Sequence, residues 1–314
     1  MHQGYSLCHR KPLPKITYEE LCIKFSNTIN KNANTWKAGV NFHPETPLKF
    51  ILGLLGSKGV KVSSTGPFKS HDTLYKSNVS IPIEFDARKR WKNCTTIGTI
   101  RDQGNCGSCW AFSTTGAFAD RLGIASNSKY NELLSAEQVT SCCYQCGLSC
   151  QGGYPIRAWQ HFYKHGLVTG GNFNSFQGCQ PYTFPPCSVN NSCSGETEKN
   201  HKCQKRCYGN KTISYRNDHR YIKEPPYYLD YNYIQQDIIN YGPIEASFEV
   251  YDDFLSYKSG VYSVSPYATY LGGHSSADVH NIYKTWKNMM TTTELVDEVN
   301  LSKSNDQYLS HCLL

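Results

Sequence analysis

Residues 103–113 read Gln103-Gly104-Asn105-Cys106-Gly107-Ser108-Cys109-Trp110-Ala111-Phe112-Ser113. From Cys109 onward the pattern is helical, with Ala111, Phe118 and Leu122 on one face of a helix ending near Leu122. The stretch also lies inside a cysteine cluster. Twelve of the 15 cysteines fall between Cys94 and Cys207, with Cys8 and Cys22 before them and Cys312 after. Such density predicts a disulfide framework made in an oxidising compartment. Zinc is the rival reading, because Cys142, Cys143, Cys146 and Cys150 stand close together. Paired knuckles at ribbon spacing are absent, however, and adjacent cysteines suit divergent disulfides better. No metal and no cofactor is expected.

Composition sets the outer limits. The chain has 314 residues, 39% of them hydrophobic, enough for a core in one large domain or two ordinary ones. No apolar run is long enough to span a membrane. The formal charge of +7 is spread along the chain without a Lys/Arg block, so no nucleic-acid partner is expected. Asn78, Asn93, Asn190, Asn210 and Asn300 each open an Asn-x-Ser/Thr triplet, which agrees with a secretory route but also arises by chance. Met1–Pro14 contains no apolar segment of the signal-peptide kind. Set against the cysteines, this leads us to expect that the natural start differs from Met1.

Residues 15–66 read as helical. Thr17 and Glu20 fit a capping box, and Tyr18, Leu21, Cys22, Phe25 and Ile29 form one apolar stripe. Leu48, Ile51, Leu52 and Leu55 fit a second short helix closed by Gly56. Residues 67–80 read as a linker, and residues 144–210 as turn-rich. Ile244, Ala246, Phe248 and Val250 alternate with polar residues, the pattern of a half-buried strand. Residues 275–314 show no useful strand alternation, and no internal repeat is visible.

The Cys106-Gly-Ser-Cys109-Trp110 segment resembles the nucleophile signature of papain-like cysteine proteases. Further segments extend the resemblance to the cathepsin B type with its pro-segment. They are Thr35–Phe42, Ile81–Arg88, Ser149–Pro155, Tyr251–Tyr262 and Gly272-Gly273-His274. The resemblance implies an α+β, papain-like two-lobed fold. A helical, disulfide-rich left lobe and a β-barrel-like right lobe would follow a helical pro-segment. The implied divisions are a pro-region at 1–80, a peptidase domain at 81–274 and an unmatched tail at 275–314, which leaves the right lobe incomplete.

The implied site is a Cys109 nucleophile with His274 as its proton partner. A thiol attacks a carbonyl as thiolate, so a helix N-terminus and a nearby imidazolium both favour it. One cysteine among 15 is by default a disulfide partner, and only the surrounding sequence singles out Cys109. By resemblance Gln103 supplies the oxyanion hole, and Gly152 and Gly153 pair with substrate backbone. The implied bridges are Cys106–Cys150, Cys142–Cys203, Cys143–Cys146, Cys179–Cys207 and Cys187–Cys193. Cys94 is left over, because its partner position holds Gly123. We expect a free thiol there or a bond elsewhere, for instance to Cys312.

The chain departs from the family in three places. The segment Cys187-Ser-Val-Asn-Asn-Ser-Cys193 is short and lacks the histidines that hold a substrate C-terminus, which favours endopeptidase over peptidyl-dipeptidase action. No Asn-Ser-Trp motif follows His274, so the residue that orients the imidazole is missing. The tail itself matches nothing in the family. The expected product is a cysteine-type endopeptidase zymogen acting through a thioester acyl-enzyme. The alternatives are an impaired relative that binds peptides or inhibitors, and a disulfide-rich secreted binding module. Expected partners are protein or peptide substrates and cystatin-type inhibitors. The protein is expected to be a monomer, lysosomal or extracellular.

Overall fold

The computed structural model describes residues 18–32, 35–44, 46–59, 80–186, 199–228 and 233–278. The first helix, α1, spans Tyr18–Asn32. Its stripe works as the spacing predicts: Tyr18, Cys22, Phe25 and Ile29 are all buried. The proposed cap Thr17 lies outside the described residues. The run read as wholly helical then breaks into a strand, β1, Trp36–Ala38. Trp36 and Ala38 turn inward while Lys37 points out, the two-residue period of a strand. A short helix, α2, follows at Leu48–Gly53. The linker read at 67–80 lies outside the described residues except for Ser80.

The next elements build the first lobe around α4, Cys109–Ala125. They are α3 (Ala87–Arg90), α5 (Ala136–Cys142) and α6 (Pro155–His165). Trp110, Phe118, Leu134, Val139, Ala158, Phe162 and Leu167 form one core. Helix α6 corrects the turn-rich reading of 144–210. Pro155 stands in its first turn, where no backbone donor is needed, and Ala158 and Phe162 bury one face. Ser135 caps α5 by accepting from the Gln138 N–H at 2.9 Å.

The second lobe begins with α7 (Ile234–Tyr241) and β2 (Ile244–Tyr251). Strands β3 (Tyr257–Gly260) and β4 (Tyr270–Asp278) complete it. β2 pairs antiparallel with β4, placing Ser247 opposite Ser275 and Phe248 opposite His274. β4 therefore continues through Ser275–Asp278, where no alternation was seen. Backbone pairing to β2, rather than an apolar face, holds those residues in line. The Arg121 guanidinium of α4 pairs with buried Asp237 of α7 and donates to the Pro243 carbonyl at 2.7 Å, joining the lobes.

The pro-region shares a core with the second lobe. β1 pairs antiparallel with β3, with Trp36 opposite Gly260. Tyr18, Phe25, Ile29, Trp36, Phe42, Phe50, Ile51 and Leu54 pack with Phe248, Val250, Phe254, Leu255, Tyr257 and Tyr262 in one cluster. The Tyr18 hydroxyl accepts from the Asn41 and Phe42 N–H groups at 2.7 and 3.0 Å, fixing the chain after β1 against α1.

Disulfides join Cys106 to Cys150, Cys142 to Cys203, Cys143 to Cys146, and Cys179 to Cys207. The expected Cys187–Cys193 pair lies outside the described residues, as does Cys312. Among the described residues Cys22, Cys94 and Cys109 carry free thiols. A Cβ built on Gly123 would stand 3.5 Å from the Cys94 sulfur.

Candidate active site

Cys109 is the first residue of α4, and its placement is set by the loop before it. The Tyr182 hydroxyl donates to the Gln103 carbonyl at 2.8 Å and lies 2.8 Å from the Ser108 hydroxyl. The Gly107 N–H donates to Cys150 O at 2.9 Å, and Cys106 is bonded to Cys150. Both ends of the turn into the helix are thereby anchored.

The positive end of a helix favours a thiolate. In this form burial outweighs it: Cys109 is 1% exposed, and its thiol is pushed up to about 11. Backbone groups of Ser275, Gly56 and Trp110 draw it partly back, while Glu245 raises it further. Burial under residues 54–58 therefore favours the neutral thiol over the thiolate.

His274 lies on β4 with its ring edge-on to Phe248, centroids 5.6 Å apart. The structure brings Gln103, Cys109 and His274 to the wall of one cavity of about 120 Å³. Gly152 and Gly153 stand elsewhere, just after the short helical turn Ser149–Gln151, against residues 56–58. The Gly153 N–H donates to Gly56 O at 2.9 Å, and the Lys58 N–H donates to Gly153 O at 2.8 Å. Together they form a parallel bridge between Ser57 and Gly153. Gly152 has φ +97, and a Cβ there would meet Gly56 O at 2.6 Å, so this approach requires glycine.

The pro-region continues across the thiol. The Gln103 side-chain amide donates to Leu54 O at 3.0 Å and to Cys106 O at 2.8 Å. The Ser57 N–H donates to Gly273 O at 2.9 Å, beside His274. The backbone of residues 54–58 therefore occupies the amide, the thiol and both glycines at once.

Sequence reading missed a polar group beside this path. The hydroxyls of Ser57, Ser247 and Ser275 lie within 2.7–3.0 Å of one another, and Ser247 donates to Glu245 Oε1 at 2.7 Å. Burial raises the Glu245 carboxyl to about 7, against the pull of the Ser247 and Ser275 hydroxyls. These residues come from three separate segments, so no local spacing announces them.

Asp120 of α4 was also missed. It is 3% exposed, lines the same cavity and is raised to about 7, chiefly by burial, with Thr96 and Arg121 pulling it down. A carboxyl raised in the folded state stabilises fully below its unfolded value, and that stabilisation is lost as pH rises through the folded value. For Asp120 this window runs from 3.8 to about 7. Asp120→Asn is therefore expected to melt above the wild type at pH 7.5 and to show no such gain at pH 3.5. Melting curves at the two values check this; an equal gain at both would show that the carboxyl does not titrate there.

The chain matches the Papain family cysteine protease description over residues 81–279 and the Peptidase family C1 propeptide over residues 23–61. It is 38% identical to a cathepsin B-like cysteine proteinase of Schistosoma japonicum, over 82% of this chain and 77% of that protein. It is 39% identical to cathepsin B-like cysteine proteinase 4 of Caenorhabditis elegans, over 79% of this chain and 75% of that one. Among solved structures it resembles procathepsin B S9 from Trypanosoma congolense, with TM-score 0.65 and 28% identity over 92% of this chain and 95% of that one. The similarity to digestive procathepsin L2 of Tenebrio molitor, TM-score 0.57 at 20% identity over 84% of this chain and 76% of that one, is one of fold. With its propeptide laid through the cleft and its thiol at the head of α4, the chain belongs to the papain family of cysteine proteases, as a cathepsin B-like zymogen.

Proposed function

We propose that Cys109 is the nucleophile and His274 its proton partner in an endopeptidase released by removal of the pro-region. One observation carries the reading: the Leu54 carbonyl rests on the Gln103 amide beside the Cys109 thiol, where a scissile carbonyl would rest. With the pro-region gone, Cys109 loses the cover that keeps its thiol neutral, and its proton passes to His274. The thiolate attacks the carbonyl carbon, and the Gln103 amide steadies the oxyanion. As the C–N bond breaks, His274 protonates the leaving amine, giving a thioester. Water, deprotonated by His274, hydrolyses the thioester and restores the thiol.

The endopeptidase assignment is supported by the absence of histidine from residues 187–193. The disulfides support a lysosomal or extracellular site of action. The same cleft would admit protein or peptide substrates and cystatin-type inhibitors, on a monomer.

The test removes residues before Ile81 and treats the product with an electrophilic epoxide. We expect a mass increase on Cys109, internal cleavage of peptides irrespective of C-terminal amidation, and loss of about ten-thousand-fold or more in rate for Cys109→Ala. Labelling without turnover would instead identify an impaired relative that retains its cleft. Preference for removing two residues from an unblocked C-terminus would overturn the endopeptidase assignment.

A further inference from the structure

Helix α6 carries two histidines whose spacing gains meaning only once the segment is helical, because residues four apart then share a face. His161 is half-buried and His165 is exposed. Their ring centroids lie 4.9 Å apart, with planes inclined by 42°. Zinc-sized cations hold an imidazole nitrogen at about 2.0–2.1 Å, so two rings on one cation have centroids roughly 4.5–5.2 Å apart. The pair already stands at that separation. It also sits in the last turn of α6, which Gly166 closes with its N–H on the Phe162 carbonyl at 3.1 Å. The negative end of the helix favours a cation there. A third histidine comes to the same end but is engaged elsewhere. Leu167 and Arg220 exchange both backbone hydrogen bonds at 2.8 Å, which brings His219 alongside. Gln138 accepts from the Val168 N–H at 2.8 Å, so its amide nitrogen faces the Tyr215 hydroxyl at 2.9 Å and His219 Nε2 at 3.4 Å. That His219 nitrogen is therefore an acceptor already in use.

We propose that His161 and His165 together chelate a divalent transition-metal cation, copper(II) above all, at the C-terminal end of α6. The peptidase reading neither needs this site nor depends on it. Imidazole nitrogens suit copper, zinc and nickel, whereas magnesium and calcium take oxygen. Among the described residues no third histidine, cysteine or carboxylate completes a cluster around the pair, so water fills the remaining positions. Two nitrogens with water fit tetragonal copper(II), while zinc in a structural site takes four protein ligands. Copper(II) also binds such nitrogens more tightly than the other first-row divalent cations do. Lys164 opposes the cation, but its side chain is exposed and acts through water. Bound there, the cation would join two successive turns of α6 on either side of the core residue Phe162.

The test uses the full zymogen with copper(II) alone and needs no catalysis. Diethyl pyrocarbonate acylates imidazole nitrogens, and peptide mass reads each histidine separately. Copper should protect His161 and His165 together, with one midpoint. In His161→Gln the midpoint for protecting His165 should rise by about tenfold or more, because one ring then holds the cation without its chelating partner. In His165→Gln the midpoint for His161 should rise likewise. His219→Gln should leave both midpoints where they were. His165 is exposed, so its replacement should keep the fold, and the melting temperature without copper checks this. Protection of His165 at an unchanged midpoint in His161→Gln would overturn the proposal, as would a wild type in which copper protects neither ring. A rise in His219→Gln as large as in the other two variants would overturn the assignment to this pair.

Discussion

Gly56→Ala is expected to strip the zymogen of its latency. A Cβ at Gly56 would fall inside the Gly107 carbonyl, with the Gly107 carbonyl carbon and Cα also too close. Neither backbone has room to retreat. Gly107 is tied to Cys150, whose sulfur is bonded to Cys106, and Gly56 is held through its carbonyl by the Gly153 N–H. Overpacking of this kind costs about 3 kcal/mol, which corresponds to roughly a hundredfold shift in the seating equilibrium of residues 54–58. The site rather than the whole pro-region should open, because α1, β1 and α2 keep their core with the second lobe. Once uncovered, the Cys109 thiol no longer suffers the burial that holds it near 11, so its thiolate fraction rises at neutral pH. We expect Cys109 in the full-length Gly56→Ala protein to be alkylated about a hundred times faster than in the wild type. Peptide mapping separates Cys109 from Cys22 and Cys94, the other free thiols among the described residues. An unchanged rate with intact folding would show that Gly56 is not the seal.

The second large effect is on stability. Cys94 is buried, its sulfur 3.3 Å from the Ser128 hydroxyl, and a Cβ on Gly123 would lie 3.7 Å from the Cys94 Cβ. That separation falls within the range of about 3.5–4.5 Å found in disulfides. Gly123→Cys should therefore close a bridge between α4 and the loop after α3 without moving the backbone. Closing a loop of about 30 residues stabilises by about 3 kcal/mol through the unfolded chain, or about 5 °C or more in melting temperature. Intact mass should fall by two hydrogens, and the gain should disappear under reductant. Gly123→Ala, which fills the same space without bridging, should show no reductant-dependent gain. A Gly123→Cys protein that keeps two free thiols at these positions would refute the geometry.

What could be read from the sequence depended on the range over which each feature is encoded. The α1 stripe, the helix from Cys109 and the alternation of Ile244–Val250 are local periodicities, and each appears as an element. β1 was invisible because three residues cannot establish a period; its strand character comes from β3, far along the chain. α6 was hidden by the glycine- and cysteine-rich sequence around it. Cys109, His274 and Gln103 were named by resemblance, and only the folded chain brings them to one cavity wall. The hydroxyl chain of Ser57, Ser275, Ser247 and Glu245 joins the pro-region, β4 and β2, so no window of sequence contains it.

The pairing of β1 with β3 also sets a timetable. Trp36 must find Gly260, and the two are made far apart in time. At about 5–20 residues per second, the ribosome needs on the order of 10–40 s to travel from one to the other. Throughout that interval the apolar stripe of Tyr18, Cys22, Phe25 and Ile29 is without the Phe254, Tyr257 and Tyr262 surface that later covers it. Newly made chains should therefore pass through a stage in which the N-terminal helix is a ready ligand for chaperones. That stage should end only as the segment around β3 leaves the exit tunnel.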